Sequence, residues 1–270
     1  MPSPVITSRK NEIIKKAAKL RDSAPFRREH NAFLAEGARL CADAADSGLE
    51  IESLFYTEKA REKYESYLER IFTRASVSYL ISESVAELLS DTRQSQGVFC
   101  VAVLPQKENA SQKMEAQGCF IALEEIQDPS NLGAVLRTAE ALGISGVVLA
   151  GSCCDPFGPK ALRASMGAMF RLPLFFEENL AQCVVGLRRR GFFTAAAVPA
   201  EEAQKITEVK FPPAVLLAVG NEGAGLSEES IAACDVRVTI PMQGRAESLN
   251  AASSAAILMW EIMRTRGSES

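Results

Sequence analysis

A chain of 270 residues that is 47% hydrophobic and 24% charged can bury a sizeable core, as one large domain or two small ones. Its net charge of −4 gives no overall attraction to nucleic acid, and no apolar run reaches the length of a membrane span. The amino terminus, MPSPVITSRKNEIIKK, lacks the apolar stretch of a secretory signal, and the seven cysteines form no CxxC pair. Zinc-ribbon and thioredoxin-type chemistry are thereby excluded, no metal is expected, and free thiols fit a reducing, cytoplasmic setting.

The first hundred residues read as mixed α and β. SRKNEIIKKAAKLRD places Ile13, Ile14, Ala17 and Leu20 on one helical stripe, with Ser8 as its cap. NAFLAEGARLCADAADSG reads as a second helix that stops at Gly48. ESLFYT, SVSYLIS and GVFCVAVLP are strands, with the charged, helical EKAREKYESYLERIF between the first two. Within this half, Arg9, Lys10, Lys15, Lys16, Lys19, Arg21, Arg27 and Arg28 face only Glu12 and Asp22. That local excess is either a phosphate footprint for RNA, carried by Arg9, Lys10, Lys15, Lys16, Lys19, Arg27 and Arg28, or a solvated helix face. The single histidine, His30, has no nucleophile signature beside it and reads as a solvated surface residue, so histidine-based catalysis is not expected.

Residues 106–117 are polar and read as a linker between a domain at 1–105 and another at 118–270. Beyond it strands and helices alternate. GCFIALEEI, GVVLAG, GFFTAAAV, AVLLAVG and VRVTIPM are strands; NLGAVLRTAEALG, PKALRASMGAMF, LSEESIAAC and LNAASSAAILMWEIMR are helices. That order implies an α/β domain with a parallel sheet covered by helices.

Three stretches of this half carry polar groups at strand ends, where open α/β sheets bind ligands. In EEIQDPSNLGAVLRTAEALG a polar turn leads into a helix beginning near Asn131, with Arg137 on its polar face. Asn131 either caps that helix or faces a ligand, and Arg137 either pairs with Glu140 or faces one. LLAVGNEGAGLSEE brings Gly220, Gly223 and Gly225 after a buried strand, which allows close backbone approach but lacks a phosphate clamp. VTIPMQGRAESLNAASSAAILMWEIMR carries Ser248 and Asn250 into a helix whose first turns are all Ala or Ser, suited to close packing.

Together these stretches resemble the SpoU/TrmH methyltransferases, which carry N-x-G-x-x-x-R-T-A, G-N-E-G-x-G-L and I-P-M-x-G-x-x-x-S-L-N in that order. Here they fall at Asn131 to Ala139, Gly220 to Leu226 and Ile240 to Asn250. Ser130, Ala251 and Trp260 depart mildly from the pattern, at Gly, Val and Tyr positions. FLAEGARL and QGVFCVAV are similar to the L30e-like domain that many members carry ahead of the catalytic one.

The resemblance implies a SPOUT α/β domain with a trefoil knot, dimerisation, and transfer of methyl from S-adenosylmethionine (SAM) to an RNA ribose 2′-hydroxyl. Ribosomal RNA of the 23S type is favoured over tRNA because of the amino-terminal domain; a non-catalytic RNA-binding factor is the alternative. Carried over by motif, Asn131, Arg137, Glu222, Ser248 and Asn250 form the catalytic set. Gly220, Asn221, Gly223, Ile240, Met242, Ser248 and Leu249 line the SAM pocket, with Thr194 and Ala195 of GFFTAAA added to it. Arginine stays protonated in proteins, so Arg137 is read as a stabiliser of the forming alkoxide and Glu222 as the residue that orients Arg137 or its loop.

Overall fold

A computed structural model describes residues 3–115, 117–200, 202–244 and 248–267, apart from the side chains at 111, 266 and 267. The chain divides into two compact units. One comprises Met1–Gln106 with Asp155–Phe170; the other comprises Lys107–Cys154 with Arg171–Ser270.

The amino-terminal unit runs β1 (Val5–Ile6), α1 (Glu12–Asp22), α2 (Ala24–His30), β2 (Ala32–Glu36), α3 (Ala38–Asp46), β3 (Ile51–Tyr56), α4 (Glu58–Lys63), α5 (Glu65–Phe72), β4 (Ala75–Ile81), α6 (Glu83–Leu89) and β5 (Val98–Val103). Its five strands lie in the order β1-β4-β3-β5-β2. The pairs β1–β4 and β3–β4 are parallel, and β5 runs antiparallel to β3 and β2. Ile14, Leu20, Leu34, Phe55, Leu89 and Phe99 meet in its core. The stripe foreseen on α1 is present: Ile14, Ala17 and Leu20 are buried. Its cap, however, is Asn11, whose Oδ1 accepts the Ile13 N–H at 2.9 Å; Ser8 accepts from Lys10 instead.

NAFLAEGARL is not one helix. Ala32–Glu36 forms strand β2, and Gly37, at φ 107°, turns the chain into α3. Ala32, Phe33, Leu34 and Ala35 are all buried, and a short run apolar on every side carries no period that separates strand from helix.

The second unit continues with α7 (Ala110–Lys113), β6 (Gly118–Glu124), α8 (Pro129–Ala141) and β7 (Gly146–Ala150). The chain then contributes α9 (Pro159–Ser165) to the amino-terminal unit. It returns as β8 (Leu174–Glu177), α10 (Leu180–Arg189), β9 (Phe193–Ala197), β10 (Gln204–Lys205), β11 (Ala214–Val219), α11 (Glu228–Ala233), β12 (Val236–Thr239) and α12 (Ala251–Gly267).

Seven strands form one sheet in the order β10-β12-β9-β11-β6-β7-β8, and every pairing in it is parallel. Helix α8 packs on α12, while α10 packs on α7 and α11. Phe120, Phe175 and Phe192 meet edge to face in the core.

Three sequence expectations for this half are corrected. The stretch read as a linker holds α7, and Ala110 and Met114, both buried, pack into the core of the second unit. Two well-placed apolar residues anchor a segment that is otherwise polar. Strand β8 and helix α10 went unforeseen, although Leu180, Cys183, Val184 and Leu187 form a buried helical stripe. Asp155–Phe170, read as part of the carboxyl-terminal domain, packs in the amino-terminal unit, where Phe33 stacks with Phe170 and meets Phe157 at a tilt.

Chain order places the ligand edge. From β6 the chain steps through β7 to β8 on one side, whereas β11, β9, β12 and β10 lie on the other. The crevice beyond the carboxyl ends of β6 and β11 is therefore the switch point at which parallel sheets hold ligands.

Candidate functional site

The loops leaving β6 and β11 sit side by side, since Leu123 and Val219 are register partners. Glu125, directly after β6, has a left-handed backbone at φ 54°. Its carbonyl accepts two side-chain amides, Asn221 Nδ2 at 2.8 Å and Gln127 Nε2 at 3.1 Å. Left-handed backbone on a branched-free residue costs of the order of 1 kcal/mol, and two hydrogen bonds on one carbonyl hold it there.

Asn221 organises the second loop. Its Oδ1 accepts the N–H groups of Gly223 at 2.8 Å and Ala224 at 3.0 Å, and its backbone exchanges two 3.0 Å hydrogen bonds with Gly225. The loop folds back so tightly that a Cβ on Gly220 would lie 2.1 Å from the Gly225 carbonyl carbon and 2.2 Å from Leu226 N. Only glycine fits there.

A chain of side chains then joins all three motifs. The Glu222 carboxylate accepts from Asn131 Nδ2 at 2.9 Å and from the backbone N–H groups of Gln127 and Asp128, each at 3.3 Å. A carboxylate only accepts, so Asn131 must offer it the amide nitrogen and keep its oxygen for another donor. That donor is Asn250 Nδ2, at 3.0 Å from Asn131 Oδ1. Asn250 Oδ1 is left to accept the Ala252 and Ser253 N–H groups at 2.9 and 3.3 Å, capping α12. Burial pushes the Glu222 carboxyl up, but the Asn131 amide, its own N–H, and those of Gln127 and Asp128 outweigh this. The group is held below the ordinary carboxylate range.

The structure removes the two local readings left open for α8. Asp128, not Asn131, caps that helix by accepting the Ser130 N–H at 2.8 Å, which leaves Asn131 for Glu222. Arg137 does not pair with Glu140, whose carboxylate takes Arg171 at 2.7 Å. Arg137 is exposed and has no hydrogen-bond or ion-pair partner among the described residues. Glu222 thus orients the loop and Asn131, not Arg137. Ser248 and Leu249 lie exposed in the segment entering α12.

Of the residues assigned to SAM, Gly220, Asn221 and Gly223 form the β11 loop. Ile240 is half-buried, and Met242 and Leu249 are exposed. Open backbone beside partly exposed apolar side chains suits a nucleoside without phosphates, and these residues fit SAM.

Thr194 and Ala195 do not belong with them. Both are fully buried in the sheet, and the Thr194 N–H and hydroxyl both donate to Asp235 Oδ2, at 2.9 and 2.8 Å, at the amino-terminal end of β9. The carboxyl end of that strand is Ala197, followed by Val198, and both are half-buried. A run of three alanines hides which of them ends the strand. Gln127, which motif matching passed over, belongs to the site: its side chain also donates to Ser152 O at 2.6 Å.

In the amino-terminal unit Arg9, Lys10, Lys15, Lys16, Lys19 and Arg28 are exposed, as an RNA face requires. Arg27 is not: it is 5% exposed, paired with Asp155 and with the carbonyls of Leu20 and Arg21. His30 is half-buried, its ring stacked on Phe26 at 3.8 Å. Among the described residues no group of side chains could hold a metal ion, and no helix is long and apolar enough to cross a membrane.

Residues 118–260 match the model of the SpoU rRNA methylase family. The chain belongs to that family. Residues 11–100 match a second model, the MRM3-like substrate-binding domain. A 23S rRNA (guanosine(2553)-2′-O)-methyltransferase of Bacillus subtilis (strain 168) is 30% identical over 257 residues, covering 95% of this chain and 98% of that relative. The AdoMet-bound rRNA methyltransferase from Sinorhizobium meliloti superposes with a TM-score of 0.87 at 29% identity, over 97% of this chain and 98% of that one. The SpoU methyltransferase AviRb from Streptomyces viridochromogenes, solved with AdoMet, gives 0.84 at 25% identity, over 96% of this chain and 99% of that one. The three linked motifs are thus those of a SPOUT-class methyltransferase, and SAM is its methyl donor.

Proposed function

We propose that this protein methylates a ribose 2′-hydroxyl of ribosomal RNA of the 23S type. One observation carries the reading: the Glu222–Asn131–Asn250 chain joins the three motifs at the sheet's switch point, beside an Arg137 that has no hydrogen-bond or ion-pair partner among the described residues. SAM supplies a methyl group on a sulfonium, which is already an excellent leaving group. The protein's own task is to hold a weak nucleophile in line and to stabilise the negative charge that grows on its oxygen.

Arg137, permanently charged, supplies donors to that oxygen or to the adjoining phosphate, and does not act as a base. Glu222 keeps the Gln127–Asn131 turn in place through three acceptor contacts. Gly220 lets the cofactor loop close on itself, and Ile240, Met242 and Leu249 offer apolar surface to the nucleoside. Membership of the SpoU family supports a trefoil knot in this domain. The exposed cations of residues 9–28 give the amino-terminal unit its hold on RNA phosphates. Trp260 and Ile257, exposed on α12 and three residues apart, supply the apolar face of a homodimer. Work on ribosomal RNA supports a cytoplasmic location.

The test is transfer of labelled methyl from SAM to 23S rRNA transcribed in vitro, followed by nuclease mapping. Label in an alkali-resistant dinucleotide is expected. Label on a base, on tRNA alone, or on nothing would overturn the reading.

A further inference from the structure

Arg27 stands apart from the basic run around it. The run's other cations are exposed except Arg21, which is half-buried, while Arg27 is 5% exposed and fully engaged. Nε and Nη2 reach Asp155 Oδ2 at 2.8 and 2.7 Å, and Nη1 donates to the carbonyls of Leu20 and Arg21 at 2.6 and 2.9 Å. One guanidinium therefore ties the carboxyl end of α1, the helix that displays Lys15, Lys16 and Lys19, to Asp155. The aspartate is itself fixed: its Oδ1 accepts the Phe157 N–H at 2.9 Å and its carbonyl that of Gly158 at 3.1 Å. A Cβ on Gly158 would stand 3.3 Å from that carbonyl oxygen and 3.6 Å from Arg27 Nη2, so the turn is packed against the ion pair.

Asp155 is one peptide bond from a second fixed segment. The Cys154 N–H donates to Ile126 O at 2.8 Å, and Ser152 O accepts the Gln127 side chain at 2.6 Å. The Gln127 N–H in turn donates to Glu222. Residues 152–155 thus carry Arg27's anchor at one end and the catalytic turn at the other. We propose that Arg27 is a positioning residue for methyl transfer, acting through Asp155 and the Ser152–Cys154 segment on Gln127 and Glu222. RNA held by α1 thereby orders the turn that carries Asn131. This rests on the methyltransferase reading above. The alternative is a pair that only stabilises the amino-terminal unit.

The full-length protein is compared with Arg27→Gln, Asp155→Asn and the double variant, using 23S rRNA transcribed in vitro. The expected result is SAM affinity as in the parent and RNA affinity within a few-fold, while the single-turnover rate at saturation falls about tenfold to a hundredfold. The double variant should fall no further than either single, because both break one link. A lower melting temperature with an unchanged saturated rate, or additive losses, would overturn the proposal.

Hydrogen exchange keeps it testable if the variants fail to fold. In the parent protein, RNA should slow exchange of the Gln127 and Asp128 amides, and no change there would overturn it. Should the parent methylate no ribose, the functional reading fails, and the exchange measurement still decides the coupling.

Discussion

Gly220→Ala puts the close crossing of the cofactor loop to a quantitative test. The added methyl would lie 2.1, 2.2 and 2.3 Å from Gly225 C, Leu226 N and Gly225 O, all backbone atoms that no rotamer change can move. One strand of the crossing must retreat by about 1 Å to reach even the 3.0 Å that real Cβ contacts essentially never pass. Overpacking of this kind costs about 1–3 kcal/mol. Moving Gly225 also breaks its paired hydrogen bonds with Asn221, at about 1 kcal/mol each. The summed loss of about 3–5 kcal/mol corresponds to about 6–20 °C in the melting of the second unit. Calorimetric unfolding and SAM titration are the assays, and SAM affinity should fall with stability. Gly223→Ala is the internal control, since its methyl would meet only Asn221 Oδ1, at 3.6 Å, and should leave melting unchanged. If Gly220→Ala melts with the parent and binds SAM equally well, the loop does not cross itself as described.

Arg137→Ala should bind SAM as the parent does while single-turnover methylation falls about a hundredfold to a thousandfold, with little recovery in Arg137→Lys; a near-parental rate would make Arg137 a plain surface residue. The Glu222 carboxyl is held below its usual range, so its contribution to the fold of the turn is complete above about pH 4.3 and disappears as pH falls through the lower, folded value. Amide exchange at Gln127 and Asp128 should accelerate on that acid limb in the parent and already be fast at neutral pH in Glu222→Gln. Reversing Lys15, Lys16 and Lys19 to Glu should lower the slope of log affinity for RNA against log salt by about two, at ~0.7 per lost phosphate contact. The partners Lys15 and Lys16 have, Glu12 and Glu52, are exposed ion pairs too weak to withhold them from phosphate. Trp260→Glu should give a monomer in sedimentation if α12 forms the dimer face.

Much of the site was legible because its chemistry is written in motifs. Asn131, Glu222 and Asn250 are 28 to 119 residues apart in pairs, yet they form one hydrogen-bonded chain. What the sequence could not show is which atom each offers to which. Asp128, by capping α8, releases Asn131 for Glu222, and a cap is hard to assign where Asp, Ser and Asn all lie within four residues. Arg27 looked like its neighbours because burial is a property of the partner, Asp155, far along the chain. Thr194 was misplaced because a strand's sequence does not say which of its residues reaches the carboxyl end of the sheet; the register with β11 does. In the fold, strongly periodic helices such as α1 were plain, whereas β2, buried on all sides, and α7, anchored by Ala110 and Met114 alone, depended on tertiary contacts.

The proposed chemistry also bears on why the candidate site manages without a histidine. His30 is stacked on Phe26 and its Nδ1 lies 3.1 Å from the Phe26 carbonyl oxygen, so it is occupied in the amino-terminal unit. A sulfonium donor needs no acid to assist its departure, and the remaining barrier lies in aligning a hydroxyl and stabilising its oxygen. Alignment is served by neutral amides that hold one another, because they fix geometry without adding a charge that would compete with the growing alkoxide. Asn131 and Asn250 form such a pair, Asn221 and Gln127 both fix the Glu125 carbonyl, and the Glu222 carboxylate is engaged by the Asn131 amide and the N–H groups of Gln127 and Asp128. Arg137, on the helix that this network anchors, is a cation left without a partner among the described residues. Loss of the Asn250 amide should therefore cost more than its modest hydrogen-bond energy implies, because that amide fixes which atom Asn131 offers to Glu222.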